Sequence, residues 1–124
     1  MAANPVVWFE VLGKDGKRLR DFYGQLLDWR IKVDDSQGSV KGYGEVEAGP
    51  GGIPGGIGQT PDGSAGHVTF YVSVADPKAT LDKATRLGGK TVMPPTDVAP
   101  GVNIALFADP EGHIIGLFKQ QPQG

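Results

Sequence analysis

The sequence of 124 residues contains no cysteine and only two histidines. Without cysteine the chain has no disulfide, no thiolate ligand for zinc or iron–sulfur clusters, and no cysteine nucleophile. Two isolated histidines also give no pattern that would indicate a Ser/His/Asp nucleophile. Since a cysteine-free chain fits a reducing compartment, we expect a cytoplasmic protein.

The sequence also lacks an excess of basic charge and any long hydrophobic run. It has 12 Lys and Arg against 14 Asp and Glu, which gives a net charge of −2. Nucleic-acid-binding domains carry a basic patch, and a membrane helix needs about 18 or more apolar residues in a row. Residues 1–7 show neither the basic nor the apolar segment of a signal peptide. We therefore expect no nucleic-acid and no membrane partner.

Glycine, in contrast, is abundant, with 20 residues in the chain, many of them between positions 48 and 66. The run GPGGIPGG does not match the phosphate-binding pattern GxxxxGK[ST], and no helix follows it. We interpret it as part of a strand, in which glycine permits close approach of another backbone or leaves space for a ligand.

An internal repeat organises the chain. Displacing the sequence by 61 positions aligns residues 6–28 with residues 67–89, and the same register continues without a gap. A long period of this kind indicates one supersecondary unit used twice. The twelve identities are Val7/Val68, Phe9/Phe70, Val11/Val72, Asp15/Asp76, Lys17/Lys78, Asp21/Asp82, Leu26/Leu87, Gly51/Gly112, Ile53/Ile114, Gly55/Gly116, Gln59/Gln120 and Pro61/Pro122.

Each copy of the repeat predicts a strand, a helix and three more strands. Residues 5–12 alternate with the period of a strand, and Asp15 is a suitable N-cap for a helix over 15–28. In the second copy Asp76 takes the same place, before Pro77. Further strands are predicted at 29–33, 39–48, 52–58, 90–93, 102–108 and 113–119.

The predicted fold class is therefore α+β, with two βαβββ units whose curled mixed sheets form a cleft. We expect a single domain over 1–124, with the first unit at about 5–59, a connector at about 60–66 and the second unit at about 67–120.

The alternation along the first strand separates two faces. Val7, Phe9 and Val11 are expected against the helix, while Trp8 and Glu10 point to the other face. The repeat aligns Trp8 with Thr69 and Glu10 with Tyr71. We therefore predict a ligand-binding cleft lined by Trp8, Glu10, Thr69 and Tyr71.

The opening WFEVLGKDGKRLRDFYGQLLDW, the closing FADPEGHIIGLF and the duplicated unit resemble the vicinal oxygen chelate superfamily, which includes glyoxalase I, bleomycin-resistance and extradiol dioxygenase proteins. The chain looks most similar to the small glyoxalase-like domains of that superfamily. The resemblance implies a homodimer and a small-molecule ligand. It also implies metal-ligand positions on the first and last strands of each unit, which fall on Trp8, Gly55, Thr69 and Gly116.

None of these four positions carries an imidazole or carboxylate, and we expect no metal and no other cofactor. The first functional hypothesis is a glyoxalase/bleomycin-resistance-like protein with a metal-free cleft that binds a small, partly aromatic molecule. The alternative is a metal-dependent lyase, isomerase or dioxygenase that uses other ligands, such as Glu10, His67 or Glu45. A third hypothesis is acid–base catalysis without metal, with Glu10 as the base and Tyr71 as a proton donor.

Overall fold

The computed structural model describes residues 3–33 and 42–120, and in these residues it has eight strands and two helices. Their order is strand, helix and three strands, twice, which confirms the predicted α+β class with two βαβββ units. The start of the predicted strand 39–48 lies outside the described residues. The elements are β1 Val6–Gly13, α1 Gly16–Leu27, β2 Ile31–Val33, β3 Gly44–Val46, β4 Gly55–Gln59, β5 His67–Val74, α2 Pro77–Arg86, β6 Lys90–Ala99, β7 Val102–Ala108 and β8 Ile114–Lys119.

Both helices begin at the predicted aspartates. Asp15 Oδ1 accepts a hydrogen bond of 3.0 Å from the Arg18 N–H, and Asp76 Oδ1 accepts one of 3.2 Å from the Ala79 N–H. These bonds satisfy one of the N–H groups that the first turn of a helix leaves without an intrahelical partner.

We expect replacement of either cap by alanine to lower the free energy of unfolding by about 1 kcal/mol, because the first turn loses its acceptor. Asparagine at the same position should keep most of the stability, since its side-chain oxygen still accepts the bond. Urea denaturation of Asp15→Ala, Asp76→Ala and the two asparagine variants measures this. Equal losses for alanine and asparagine would contradict the capping role.

The chain contains two compact units. The first consists of Trp8–Thr69, and the second combines the residues up to Val7 with those from Phe70 onward. In the first unit the strand order is β2-β3-β4-β1, in which β1 and β4 are parallel and the other neighbours are antiparallel. The side chain of Ile57, in the middle of β4, is fully buried.

The second unit repeats this arrangement with the order β6-β7-β8-β5, and β5 and β8 are its parallel pair. Its core is built by four side chains from α2 and the sheet, which are Val74, Leu81, Ala105 and Leu117. Near Pro94 and Pro95, β6 continues beyond the predicted end at 93 through shifts in its pairing with β7. Proline is accommodated at such irregularities on a strand with only one neighbour.

A tight turn leads into β8. Asp109 Oδ1 accepts hydrogen bonds from the backbone N–H groups of Glu111 and His113, and His113 Nδ1 lies 2.9 Å from Asp109 Oδ2. The backbone N–H of His113 in particular lowers the pKa of the Asp109 carboxyl from its usual range. His113 is thus held by the turn and is exposed.

The register of the repeat requires one correction. Val11 pairs with Ile57, and Val72 pairs with Leu117. The equivalent of Val11 is thus 61 positions later, as predicted, whereas that of Ile57 is 60 positions later. A shift of one residue exchanges the two faces of a strand. The equivalent of Gly116 is therefore Gly56 and not Gly55.

Candidate functional site

The two faces of β1 differ as predicted. On the helix side, the ring of Phe9 lies against Gly55, and Leu19 of α1 approaches Gly13. Successive strand residues point to opposite faces, so Trp8 and Glu10 lie on the side away from α1. Glu10 is partly buried there, with 13% of its side chain exposed.

Tyr43, directly before β3, links Trp8 to Glu10. The indole Nε1–H of Trp8 donates to the Tyr43 hydroxyl oxygen at 3.1 Å, and the Tyr43 hydroxyl donates to Glu10 Oε2 at 2.9 Å. The hydroxyl thus accepts one bond and donates the other, which fixes its orientation. The three side chains form one connected polar group.

Glycines in β4 make room for this group. A Cβ atom at Gly56 would overlap the hydroxyl and ring of Tyr43, and one at Gly58 would lie 2.7 Å from Tyr43 Cδ2. The glycine-rich stretch therefore accommodates an aromatic ring of the protein itself. Neither the close approach of another backbone nor an open space for a ligand is needed to explain these two positions.

His67, at the start of β5, approaches the same carboxylate. Its Nε2 lies 3.5 Å from Glu10 Oε1, is buried and has no hydrogen-bond partner among the described residues. An unprotonated Nε2 and a carboxylate oxygen are both acceptors, so we expect the proton of a neutral His67 ring to be on Nε2. Nδ1 would then be the acceptor nitrogen of the ring.

The other two predicted ligand-binding residues, Thr69 and Tyr71, are buried. Thr69 is 5% exposed in the first unit, and Tyr71 is 4% exposed in the second, where its ring covers Gly116. Within the first unit, then, the structure joins Trp8 and Glu10 and adds Tyr43 and His67 to them. Ligand binding by Thr69 and Tyr71 stays a prediction.

The positions that the resemblance assigns to a metal lack suitable donors. Gly55 turns to the helix side against Phe9, and its replacement in the corrected register, Gly56, is also without a side chain. Trp8 and Thr69 offer no imidazole or carboxylate. Within residues 3–33 and 42–120, no three His, Cys, Asp or Glu side chains cluster as metal ligands would. The donor set does not fit the superfamily's metal.

Sequence reasoning missed Tyr43. The residue precedes Glu45 and Glu47 on the same alternating face, and a face with two carboxylates is typical of a strand side exposed to solvent. The missing signal was the pairing of Glu45 with Gly56, which places Tyr43 beside a stretch of β4 without side chains. Only the observed register provides that information.

Comparison with known proteins identifies the fold and the family. A sequence profile described as the glyoxalase-like domain matches residues 9–118. Among curated protein sequences, none matches the chain significantly.

Among the described residues, no helix has both the length and the apolar character needed to cross a bilayer.

Solved structures match over nearly the whole chain. A hypothetical protein, BH1468 from Bacillus halodurans C-125, is 15% identical and has a TM-score of 0.70, with 99% of each chain covered. Methylmalonyl-CoA epimerase from Mycobacterium tuberculosis is 17% identical with a TM-score of 0.62, covering 98% of this chain and 93% of the epimerase. A variant of the Streptomyces coelicolor epimerase, in complex with 2-nitronate-propionyl-CoA, is 14% identical with a TM-score of 0.59, covering 98% and 100%. At these identities the likeness extends to the fold alone.

Proposed function

The chain belongs to the glyoxalase-like domain family, and we propose that it binds a small, partly aromatic molecule, without metal, on the face of β1 that carries Trp8 and Glu10. The observation that supports this most is the connected group of Trp8, Tyr43 and Glu10. It holds a carboxylate and an indole beside each other in a fixed arrangement. Pre-organisation of this kind reduces the entropy lost when a ligand binds.

The chemistry of the group suggests the type of ligand. The indole of Trp8 offers a flat apolar surface to an aromatic ring, and the Glu10 carboxylate accepts hydrogen bonds. An aromatic ring that carries a hydroxyl, amide or amine group can stack on the indole and donate a hydrogen bond to the carboxylate. The donor set at the superfamily's metal positions does not fit a metal, so the proposed interaction involves the side chains directly.

A ligand screen with two variants tests the proposal. Small aromatic compounds with a hydrogen-bond donor are titrated while the Trp8 indole N–H signal is followed by ¹H–¹⁵N NMR. We expect Glu10→Gln to weaken a hit by about tenfold or more, because a hydrogen bond to a charged group contributes about 1.5–3 kcal/mol. Tyr43→Phe should weaken it as well, since Glu10 loses the hydroxyl that positions it.

The control is Glu111→Gln, which removes the same charge from an exposed turn in the second unit. It should leave the affinity unchanged. If Glu10→Gln and Glu111→Gln behave alike, or if no compound moves the Trp8 signal, the proposed site is wrong.

A second candidate function, proton transfer, is favoured by the contact of Glu10 with His67 at 3.5 Å. A carboxylate close to one nitrogen of an imidazole favours the proton on that nitrogen and leaves the other nitrogen as a proton acceptor. In this candidate Glu10 positions His67 instead of acting as the base. Incorporation of deuterium from D₂O into a bound ligand would show it, and an unchanged ligand would exclude it for that compound.

The homodimer and the cytoplasmic location remain predictions. Sedimentation velocity at several protein concentrations measures the first of them directly.

A further inference from the structure

A groove of about 600 Å³ opens at one end of the first unit. Its lining includes the aromatic residues Phe9 and Trp29 and the aliphatic residues Leu27 and Ile53. Leu27 and Ile53 are both more than 40% exposed, although they are large and apolar. Volumes of about 300–1,000 Å³ are typical of small-molecule sites.

The groove is separate from the site proposed above. Phe9 occupies the helix side of β1, whereas its neighbours Trp8 and Glu10 point to the opposite side. The chain has two tryptophans, one at each place, namely Trp8 and Trp29. Each site therefore has its own aromatic reporter.

The aromatic rings at the groove are fixed by their neighbours. The ring centroids of Phe9 and Trp29 are 5.3 Å apart and the rings are tilted by 49°. Trp29 also stacks on Tyr23, at 5.7 Å and 18°. The faces of such rings carry negative partial charge and attract cations, tryptophan most strongly.

The charged residues in the lining of the groove have an excess of one negative charge. The lining contains the carboxylates of Asp28 and Glu47 against the single cation of Arg30. Helix α1 ends here, and its last turn contains no basic residue that would compensate the negative end of the helix dipole. Within residues 3–33 and 42–120 none of these three charged side chains forms an ion pair.

From the aromatic rings in the lining and the excess of carboxylate, we propose that this groove binds an organic monocation, an ammonium group attached to a small apolar or aromatic body. The apolar body lies against Leu27 and Ile53, and the ammonium lies near the aromatic faces and the two carboxylates. The carboxylates and the negative helix end repel an anion, and a neutral compound gains only the apolar contact.

The test uses the whole chain labelled with 5-fluorotryptophan, whose two ¹⁹F signals report the two sites separately. The variants Trp8→Phe and Trp29→Phe assign the signals. The probe is benzyltrimethylammonium, and benzyl alcohol and phenylacetate serve as neutral and anionic compounds with the same ring. We expect a saturable shift of the Trp29 signal with the ammonium compound and none with phenylacetate.

A matched pair of variants tests the charge. Asp28→Asn and Glu47→Gln keep the shape of the side chains, and asparagine tolerates the left-handed backbone of residue 28, which has φ of 56°. Together they should weaken binding of the ammonium by about threefold to tenfold. Rising salt should weaken it too, because exposed charges are screened.

Three results would overturn the proposal. The three probes could bind alike, which would make the groove merely apolar. The Trp29 signal could respond to protein concentration alone, which would make a second copy of the chain the occupant. In the third result, the ammonium compound shifts neither tryptophan signal or shifts the Trp8 signal alone. A failure at Trp29 leaves the Trp8 site untouched, and a failure at Trp8 leaves the groove untouched.

Discussion

Replacing Gly56 by alanine is expected to lower the free energy of unfolding by about 1–3 kcal/mol, the usual cost of excess volume in a packed region. The added Cβ would overlap the ring and hydroxyl of Tyr43. Tyr43 must then move, and the hydrogen bonds to Glu10 and from Trp8 are lost with it. Urea denaturation measures the stability, and the indole N–H signal of Trp8 in a ¹H–¹⁵N spectrum reports the lost bond.

The matched control for this change is Gly49→Ala. A Cβ at Gly49 would have no neighbour within 4 Å, and its φ is not in the left-handed region. This variant should be as stable as the parent or slightly more stable. In a Tyr43→Ala background the cost of Gly56→Ala should largely disappear, because the ring that the Cβ meets is gone. An equal cost with and without the ring would show that Tyr43 is not the reason for the glycine.

Replacing Ile57 by alanine is expected to have the largest effect on stability, a loss of about 2–5 kcal/mol. Its side chain is 0% exposed. Truncation therefore leaves a cavity in a closely packed region, and neighbouring atoms cannot fill it without cost. The loss would be a large fraction of the 5–15 kcal/mol that holds a typical domain folded, about 0.05–0.15 kcal/mol per residue.

Ile53→Ala is the control for this second prediction. Ile53 lies four residues earlier, two residues before the start of β4, and is 43% exposed. Its truncation should cost clearly less, since more than two fifths of its surface already meets solvent. Chemical denaturation of both variants decides the point. Similar losses would mean that the core of the first unit does not centre on Ile57.

Patterns that repeat over many residues predicted the fold. The alternation in β1 and β5, the aspartate caps and the internal repeat each depend on local chemistry, and the elements follow them closely. The end of β6 was less predictable, because Pro94 and Pro95 normally exclude a strand and are tolerated there only through the shifts in pairing with β7.

The candidate site was predicted only in part. Trp8 and Glu10 follow from alternation within one strand. Tyr43 and His67 reach Glu10 from positions 33 and 57 residues away along the chain, and no local pattern reports such contacts. The ungapped repeat also gave the wrong register for β4. Positions 55 and 56 are both glycine, so either one matches Gly116 and the sequence does not reveal the shift of one residue.

The register of β4 decides which of its residues takes the superfamily's metal-ligand position. The absence of a suitable donor there does not depend on the register. In either register the metal-ligand position on β4 is a glycine, and the metal-ligand position on β1 is Trp8. We therefore propose that ligand binding depends on the chain's own indole and carboxylate.

The most direct test of this claim is one titration carried out twice. A compound from the aromatic screen is added to the protein after treatment with a chelator, and again after addition of zinc, nickel, manganese or ferrous iron, while the Trp8 indole signal is followed. We predict the same dissociation constant in both series. A signal at Trp8 that moves only after a metal is added would contradict the account and favour a metal-dependent enzyme.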